Sequence, residues 1–163
     1  MAVALEIERK FLVQGDAWRQ GARGVRYVQG YLNRDKARTV RVRMAGEQAF
    51  LTIKGASVRA TRAEFEYPIP LADAQELLAL CEGPLIDKTR YAITVGTTLW
   101  EVDEFAADNA GLVLAEVELP SETAPFERPC WLGAEVTQDA RYFNSNLSRQ
   151  PYGSWGASTP ESP

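Results

Sequence analysis

Apolar and polar residues alternate in eight stretches of this chain, the period expected of strands with one buried face. The first runs from Leu5 to Val13. It puts Glu6, Glu8 and Lys10 on one side and Leu5, Ile7, Phe11 and Val13 largely on the other. Gln14 to Arg23 is polar and reads as a loop or short helix. Alternation resumes at Val25 to Leu32 and, past a turn at Asn33 to Lys36, at Thr39 to Met44, where Arg41 and Arg43 oppose Val40, Val42 and Met44. Ala45-Gly46-Glu47-Gln48 reads as a hairpin turn into Ala49 to Lys54, and a Gly-Ala-Ser loop follows. Arg62 to Ile69 sets Arg62, Glu64 and Glu66 against Phe65 and Tyr67. Leu71 to Cys81 changes the period. Leu71, Ala74, Leu77, Leu78 and Cys81 fall at the three- and four-residue spacing of a helical stripe, which Gly83-Pro84 ends. Strands are predicted again at Leu85 to Val95, Thr98 to Phe105 and Leu112 to Leu119. Residues 121–149, interrupted by Pro125 and Pro129, read as mainly helical and irregular, and Gly153 to Pro163 as a disordered tail.

Strands in hairpin order with one helix after the fifth suit an antiparallel barrel or closed sandwich. No repeat or linker divides the chain, so residues 1–150 are expected to form one domain. At 163 residues it is long enough for a real core, and its hydrophobic (45%) and charged (25%) contents are ordinary, so composition leaves the function open.

Charge narrows it. A net charge of -4 and a pI near 5.0 argue against a general binder of nucleic acid or anionic membranes. A local group of basic residues in such a chain points instead to a small anion. There is no histidine, which removes His-ligated zinc, Ser-His-Asp and Cys-His chemistry; any metal must be held by oxygen. Cys81 and Cys130 are too few for a disulfide framework and read as reduced thiols, with a single bridge left open. With neither a secretory leader pattern nor a run long enough to span a bilayer, the expectation is a soluble cytoplasmic protein.

The charged positions are sorted by strand. Acidic pairs stand at both ends of the chain (Glu6/Glu8 and Glu116/Glu118), and basic residues in the middle (Arg41/Arg43, Lys54, Arg62, Lys88/Arg90). Two structures fit this pattern: a solvated sheet face, or a closed sheet whose charged faces turn inward around a cavity. Burying so many charges is costly unless a bound polyanion and cations offset it. Arg and Lys suit phosphate oxygens, and paired carboxylates suit the divalent ions that accompany polyphosphates.

Glu6-x-Glu8-x-Lys10 resembles the ExExK signature of the CYTH superfamily, also called triphosphate tunnel metalloenzymes. Arg41-x-Arg43, Leu51-Thr52-Ile53-Lys54, Arg62-x-Glu64-x-Glu66, Lys88-Thr89-Arg90-Tyr91, Trp100-Glu101-Val102-Asp103 and Glu116-x-Glu118 follow in the family's order, so the resemblance covers residues 3–149. It implies an eight-stranded antiparallel closed β-barrel, a tunnel with a few flanking helices. The chain is most similar to bacterial members beginning EIERKFLV, which are inorganic triphosphatases. By that resemblance Lys10, Arg41, Arg43, Lys54, Arg62, Lys88 and Arg90 bind triphosphate oxygens. Glu6, Glu8, Glu116 and Glu118, helped by Glu64, hold one or two Mg²⁺ or Mn²⁺ ions. Lys10 and Tyr31 form a water-activating pair, with Tyr27 the competing tyrosine and packing roles open to both. Glu135 to Leu147 resembles the family's C-terminal helical segment near one tunnel mouth.

Other positions carry plainer expectations. Glu101 and Asp103 solvate an edge or brace an arginine, Arg9 and Lys36 are surface charges, and the four Trp are core and rim. The competing activities are those of a thiamine triphosphatase or class IV adenylyl cyclase. Other classes are a non-catalytic polyphosphate or nucleotide-binding module, or a β-sandwich interaction domain. No nucleic-acid or membrane partner is expected, and a homodimer is among the states the sequence allows.

Overall fold

The computed structural model describes residues 7–58 and 61–155; Glu6 lies outside them. Among the described residues the eight alternating segments become strands and a ninth joins them, all antiparallel: β1 (Glu8–Val13), β2 (Gly24–Asn33), β3 (Arg38–Ala45), β4 (Gln48–Val58), β5 (Thr61–Pro68), β6 (Ile86–Val95), β7 (Thr98–Phe105), β8 (Val113–Glu118) and β9 (Leu132–Glu135). Helix α1 (Leu71–Ala79) stops two residues before the expected Cys81, and a short α2 (Asn144–Leu147) lies near the C-terminus. Tight hairpins link the strands. Ala45 faces Gln48 across a two-residue loop in which Gly46 takes φ +61°, a left-handed value that glycine adopts without strain.

One sheet holds all nine strands, in the order β5-β4-β3-β2-β6-β7-β8-β1-β9. The β2–β5 meander continues into β6 because α1 carries the chain back to the far side of β2. Strands β1 to β8 all contribute side chains to a single cavity, so the sheet curls around it as a tunnel. Two details differ from the expected eight-stranded closed barrel. The ninth strand falls in the stretch read as helical and irregular. Leu132-Gly133-Ala134-Glu135 is too short to alternate, and Gly133 is set by close approach, since a Cβ there would lie 2.9 Å from Leu12 O. No ladder joins β5 to β9 among the described residues; Phe143 to Arg149 contribute to the cavity wall as well.

Three apolar clusters support the sheet. Phe11, Trp100, Val102, Ala115, Val117 and Trp131 pack outside β1, β7 and β8, with Trp100 edge-on to Phe11, Phe126 and Trp131 at 5.7 Å each. Helix α1 lays Ala74 and Leu78 on Val42 and Ala49 of β3 and β4. Ile86, Phe105, Leu112, Leu114, Tyr142 and Leu147 form the third cluster, which includes inward-facing positions of β6, β7 and β8. Along these strands the inner face therefore runs from apolar (Ile86, Phe105, Leu114) to charged (Arg90, Glu101, Glu118). Of the stretch from Gly153 onward, the described part is packed: Trp155 stacks edge-on against Tyr142 and Tyr152. Among the described residues no helix is long and apolar enough to cross a membrane, and Cys81 and Cys130 are unbridged.

Candidate active site

The cavity inside the tunnel measures about 890 Å³ and is walled largely by charge. Among the described residues its lining has nine cationic side chains against six carboxylates, an excess of cations inside a chain whose net charge is negative. Strand parity produces this. Arg41 and Arg43 on β3, Thr52 and Lys54 on β4, and Glu64 and Glu66 on β5 occupy alternate positions, so their neighbours Val42, Ile53 and Phe65 turn outward.

The β3–β4–β5 wall holds its charges loosely. Thr52 Oγ1 donates to Glu66 Oε1 at 2.7 Å and accepts from Arg41 Nη2 at 3.4 Å. Arg41 lies 3.8 Å from Glu66, and Lys54 3.3 Å from Glu64. Arg62 spends its donors on Gly55 O (2.8 Å) and Thr39 Oγ1 (3.1 Å). Arg43 donates from Nε to Gln29 Oε1 at 2.8 Å and stacks 5.0 Å from the Tyr27 ring. Burial, with Arg41 and Arg90 nearby, pulls the Arg43 guanidinium down to about 10.

The β6–β7–β8–β1 wall is tighter. Asp103, almost fully buried, accepts from Lys88 Nζ at 2.8 Å and from Arg90 Nε and Nη2 at 2.8 and 2.9 Å. Burial opposes its charge, but Lys88 and Arg90 outweigh that and hold the Asp103 carboxyl well below the usual carboxylate range. The same contacts raise Arg90 against its own burial. Lys88 is completely buried at the apolar end of this wall and does not line the cavity. Burial pulls its ammonium down to about 7, with Asp103 opposing. Arg90 reaches on to Glu101 (3.5 Å) and Glu116 (3.9 Å), and Lys10 sits 3.8 Å from Glu116 while donating to Tyr142 O at 3.1 Å. Glu116 is buried, which opposes its charge, yet Lys10, Lys88 and Arg90 keep its carboxyl below the ordinary value.

This wall also concentrates acid. Glu8 stands opposite Glu118, and Glu101 opposite Glu116, in the strand registers. Like charges in facing positions destabilise a sheet unless a cation lies between them. The donors are all oxygen, the chemistry that Mg²⁺ and Mn²⁺ prefer. Among the described residues no three acidic or thiol groups converge closely enough to hold a metal by themselves. The residues therefore fit an ion whose coordination shell is completed by water or by a ligand's oxygens, as Mg²⁺ commonly requires.

All the site residues read from the sequence are thus placed except Glu6. Glu8, Lys10, Tyr31, Arg41, Arg43, Lys54, Arg62, Glu64, Arg90, Glu116 and Glu118 line one cavity, and Lys88 lies behind it. Lys10 and Tyr31 both border the cavity without bonding to each other. Tyr27 is not in the lining; Arg43, Arg90 and Lys88 surround its ring at 5.0, 5.2 and 5.9 Å.

Sequence reading missed several lining groups. Thr39 and Thr52 share parity with Arg41 and Lys54, a signal that was available; Glu66 had it too, beside Glu64. Arg34, Lys36, Asn144, Asn146 and Arg149 come from turns and the C-terminal segment, where no period marks an inward residue. Lys36 is exposed but borders the tunnel mouth, Arg9 pairs with Glu135, and Glu101 and Asp103 both brace Arg90.

An antiparallel tunnel with a cation-rich interior and a carboxylate cluster on one wall defines a polyanion-binding enzyme fold. The model of the CYTH domain matches residues 4–152, and the chain belongs to that family. It is 52% identical over 148 residues to an inorganic triphosphatase of Acetivibrio thermocellus, covering 90% of this chain and 95% of the relative. Against an inorganic triphosphatase of Nitrosomonas europaea the identity is 38%, over 88% and 96% of the two chains. A crystal structure of an inorganic triphosphatase superposes with a TM-score of 0.67 at 35% identity, covering 91% of this chain and 97% of that one.

Proposed function

We propose that this protein is a divalent-metal-dependent hydrolase that cleaves inorganic triphosphate to diphosphate and phosphate inside the tunnel. One observation carries the reading: a single cavity in which, among the described residues, nine cations outnumber six carboxylates, with the carboxylates concentrated on one wall. The excess cations call for a polyanion, and facing carboxylates call for a cation beside it. The two inorganic triphosphatase relatives, matched over nearly their whole lengths, support the same substrate.

In this reading Lys10, Arg41, Arg43, Lys54, Arg62 and Arg90 bind the phosphate oxygens, and Lys88 acts from behind through Asp103. Glu8, Glu116 and Glu118, with Glu6 and assisted by Glu64, would hold Mg²⁺ or Mn²⁺. When bound, the ion would neutralise phosphate charge and lower the pKa of a coordinated water. The side chains supply positioning: cations fixed on several strands hold the chain of phosphates extended, and the apolar cluster at one end restricts water. For water activation we keep Lys10 and Tyr31, favoured over Tyr27 because Tyr31 borders the cavity. The family match over residues 4–152 supports a single catalytic domain, and a cytoplasmic setting is part of this reading.

The test is phosphate release from inorganic triphosphate, ATP and thiamine triphosphate, each with Mg²⁺, Mn²⁺ or EDTA. Metal-dependent turnover that favours inorganic triphosphate is expected. Cyclic AMP from ATP, or preference for thiamine triphosphate, would keep the tunnel and replace the substrate. Folded protein silent on all three would overturn the hydrolase reading.

A further inference from the structure

Arg43 is supported differently from its neighbours. Lys10, Arg41, Lys54 and Arg90 each have a carboxylate within 4 Å. Arg43 and Arg62, among the described residues, have none; Arg62 spends Nε and Nη2 on Gly55 O and Thr39 Oγ1, whereas Arg43, though largely buried, makes a single hydrogen bond. Its Nε donates to the neutral Gln29 Oε1 at 2.8 Å, and its guanidinium carbon lies 5.0 Å from the Tyr27 ring. Neither Nη group bonds to a described protein atom, and the side chain lines the cavity.

Gln29 is itself completely buried, opposite Arg43 in the β2–β3 register. Among the described residues its Nε2 has no hydrogen-bond partner. An unsatisfied buried amide is costly, and a leucine of similar size would avoid it. What an amide offers and leucine lacks is an acceptor oxygen at the Arg43 Nε; what it lacks, compared with glutamate, is charge. Glutamate would satisfy Arg43 better but would neutralise it.

We propose that Gln29 is a positioning residue: it fixes the Arg43 guanidinium by its inner edge with an uncharged acceptor, leaving the full positive charge and both Nη groups for a phosphate oxygen. Arg43 is then an anchor held in place by neutral groups, whereas Lys10, Arg41, Lys54 and Arg90 must share their charge with a carboxylate. This rests on the tunnel being a polyphosphate site, as proposed above.

The experiment titrates inorganic triphosphate calorimetrically, in EDTA, into wild type, Gln29→Glu, Gln29→Leu, Arg43→Ala and the double variant Gln29→Glu/Arg43→Ala. Melting temperatures, and wild-type turnover with Mg²⁺ or Mn²⁺, are recorded beside it. Gln29→Glu should weaken triphosphate about 30-fold while melting no lower than wild type; Gln29→Leu should weaken it about 5-fold and melt lower. In the Arg43→Ala background the glutamate should cost no further affinity. Should Gln29→Glu not fold, Gln29→Asn, too short to reach Nε, must show a loss that disappears without Arg43. A Gln29→Glu that binds like wild type, losses that persist without Arg43, or a wild type that does not bind triphosphate each overturn the inference. Wild-type turnover separately decides the triphosphatase reading: binding with these losses but no turnover sinks that reading alone.

Discussion

The two walls of the tunnel carry similar numbers of charges and treat them in opposite ways. On the β6–β7–β8–β1 side, Asp103 locks Lys88 and Arg90 at 2.8–2.9 Å, and the Trp100 cluster backs the strands. On the β3–β4–β5 side, the Lys54–Glu64 and Arg41–Glu66 pairs are 3.3 and 3.8 Å long and partly exposed, with Glu66 side-chain exposure at 45%. A buried, fully bonded network costs nothing to organise when ligand arrives; a loose one can exchange a carboxylate for a phosphate. The first wall is preformed for metal and charge, and the second adapts to the anion.

The largest effect should come from the acidic cluster of the rigid wall. Glu116→Gln is expected to lower triphosphate hydrolysis at least about 100-fold, with the circular dichroism spectrum unchanged, because one metal-facing charge is lost. Activity within a few-fold of wild type would show that the carboxylates only solvate the wall.

Asp103→Ala should break the comparison from the structural side. It strands two buried cations, a loss of about 3–5 kcal/mol of stability measured by urea unfolding, with activity falling as well. Lys54→Ala, on the adaptable wall, should instead raise KM about 10-fold with little change in melting temperature, since its partner Glu64 remains partly solvated. If the two substitutions had matching effects on stability, the walls would not differ as described.

The smallest effect should lie outside the tunnel. Hydrogen bonds from Arg9, with Thr137 assisting and slight burial opposing, hold Glu135 down to about 2. Its folded pKa lies below the ordinary 4.5, so the pair's stabilisation is present above that value and lost as pH falls towards 2. Both side chains are partly exposed, which screens the pair to below about 1 kcal/mol. Glu135→Gln should lower the melting temperature by less than about 4 °C at pH 7, and by only a small part of that at pH 2.

Much of this was legible in the sequence because strand parity is a strong constraint. Arg41 and Arg43 face inward because Val42, between them, packs under α1, and the same rule placed Glu116 and Glu118 opposite Val117. Parity gives a face but not a depth. It could not show that Lys88, two residues from Arg90, sits at the apolar end behind the cavity rather than in it. Nor could it find β9, whose pairing depends on Gly133 meeting Leu12, or the contributions of Asn144 and Arg149, which follow from how the chain's end folds back. Gln29 looked like an ordinary strand residue; only its bond to Arg43 separates it from the rest.

The most direct test of the two-wall account is a crystal structure with inorganic triphosphate and Mn²⁺, using the anomalous signal to locate the metal. The account expects the phosphates against Arg41, Arg43 and Lys54, with manganese bound by Glu116 or Glu118 and phosphate oxygens. Triphosphate outside the tunnel, or manganese held by carboxylates of the β5 wall alone, would contradict it.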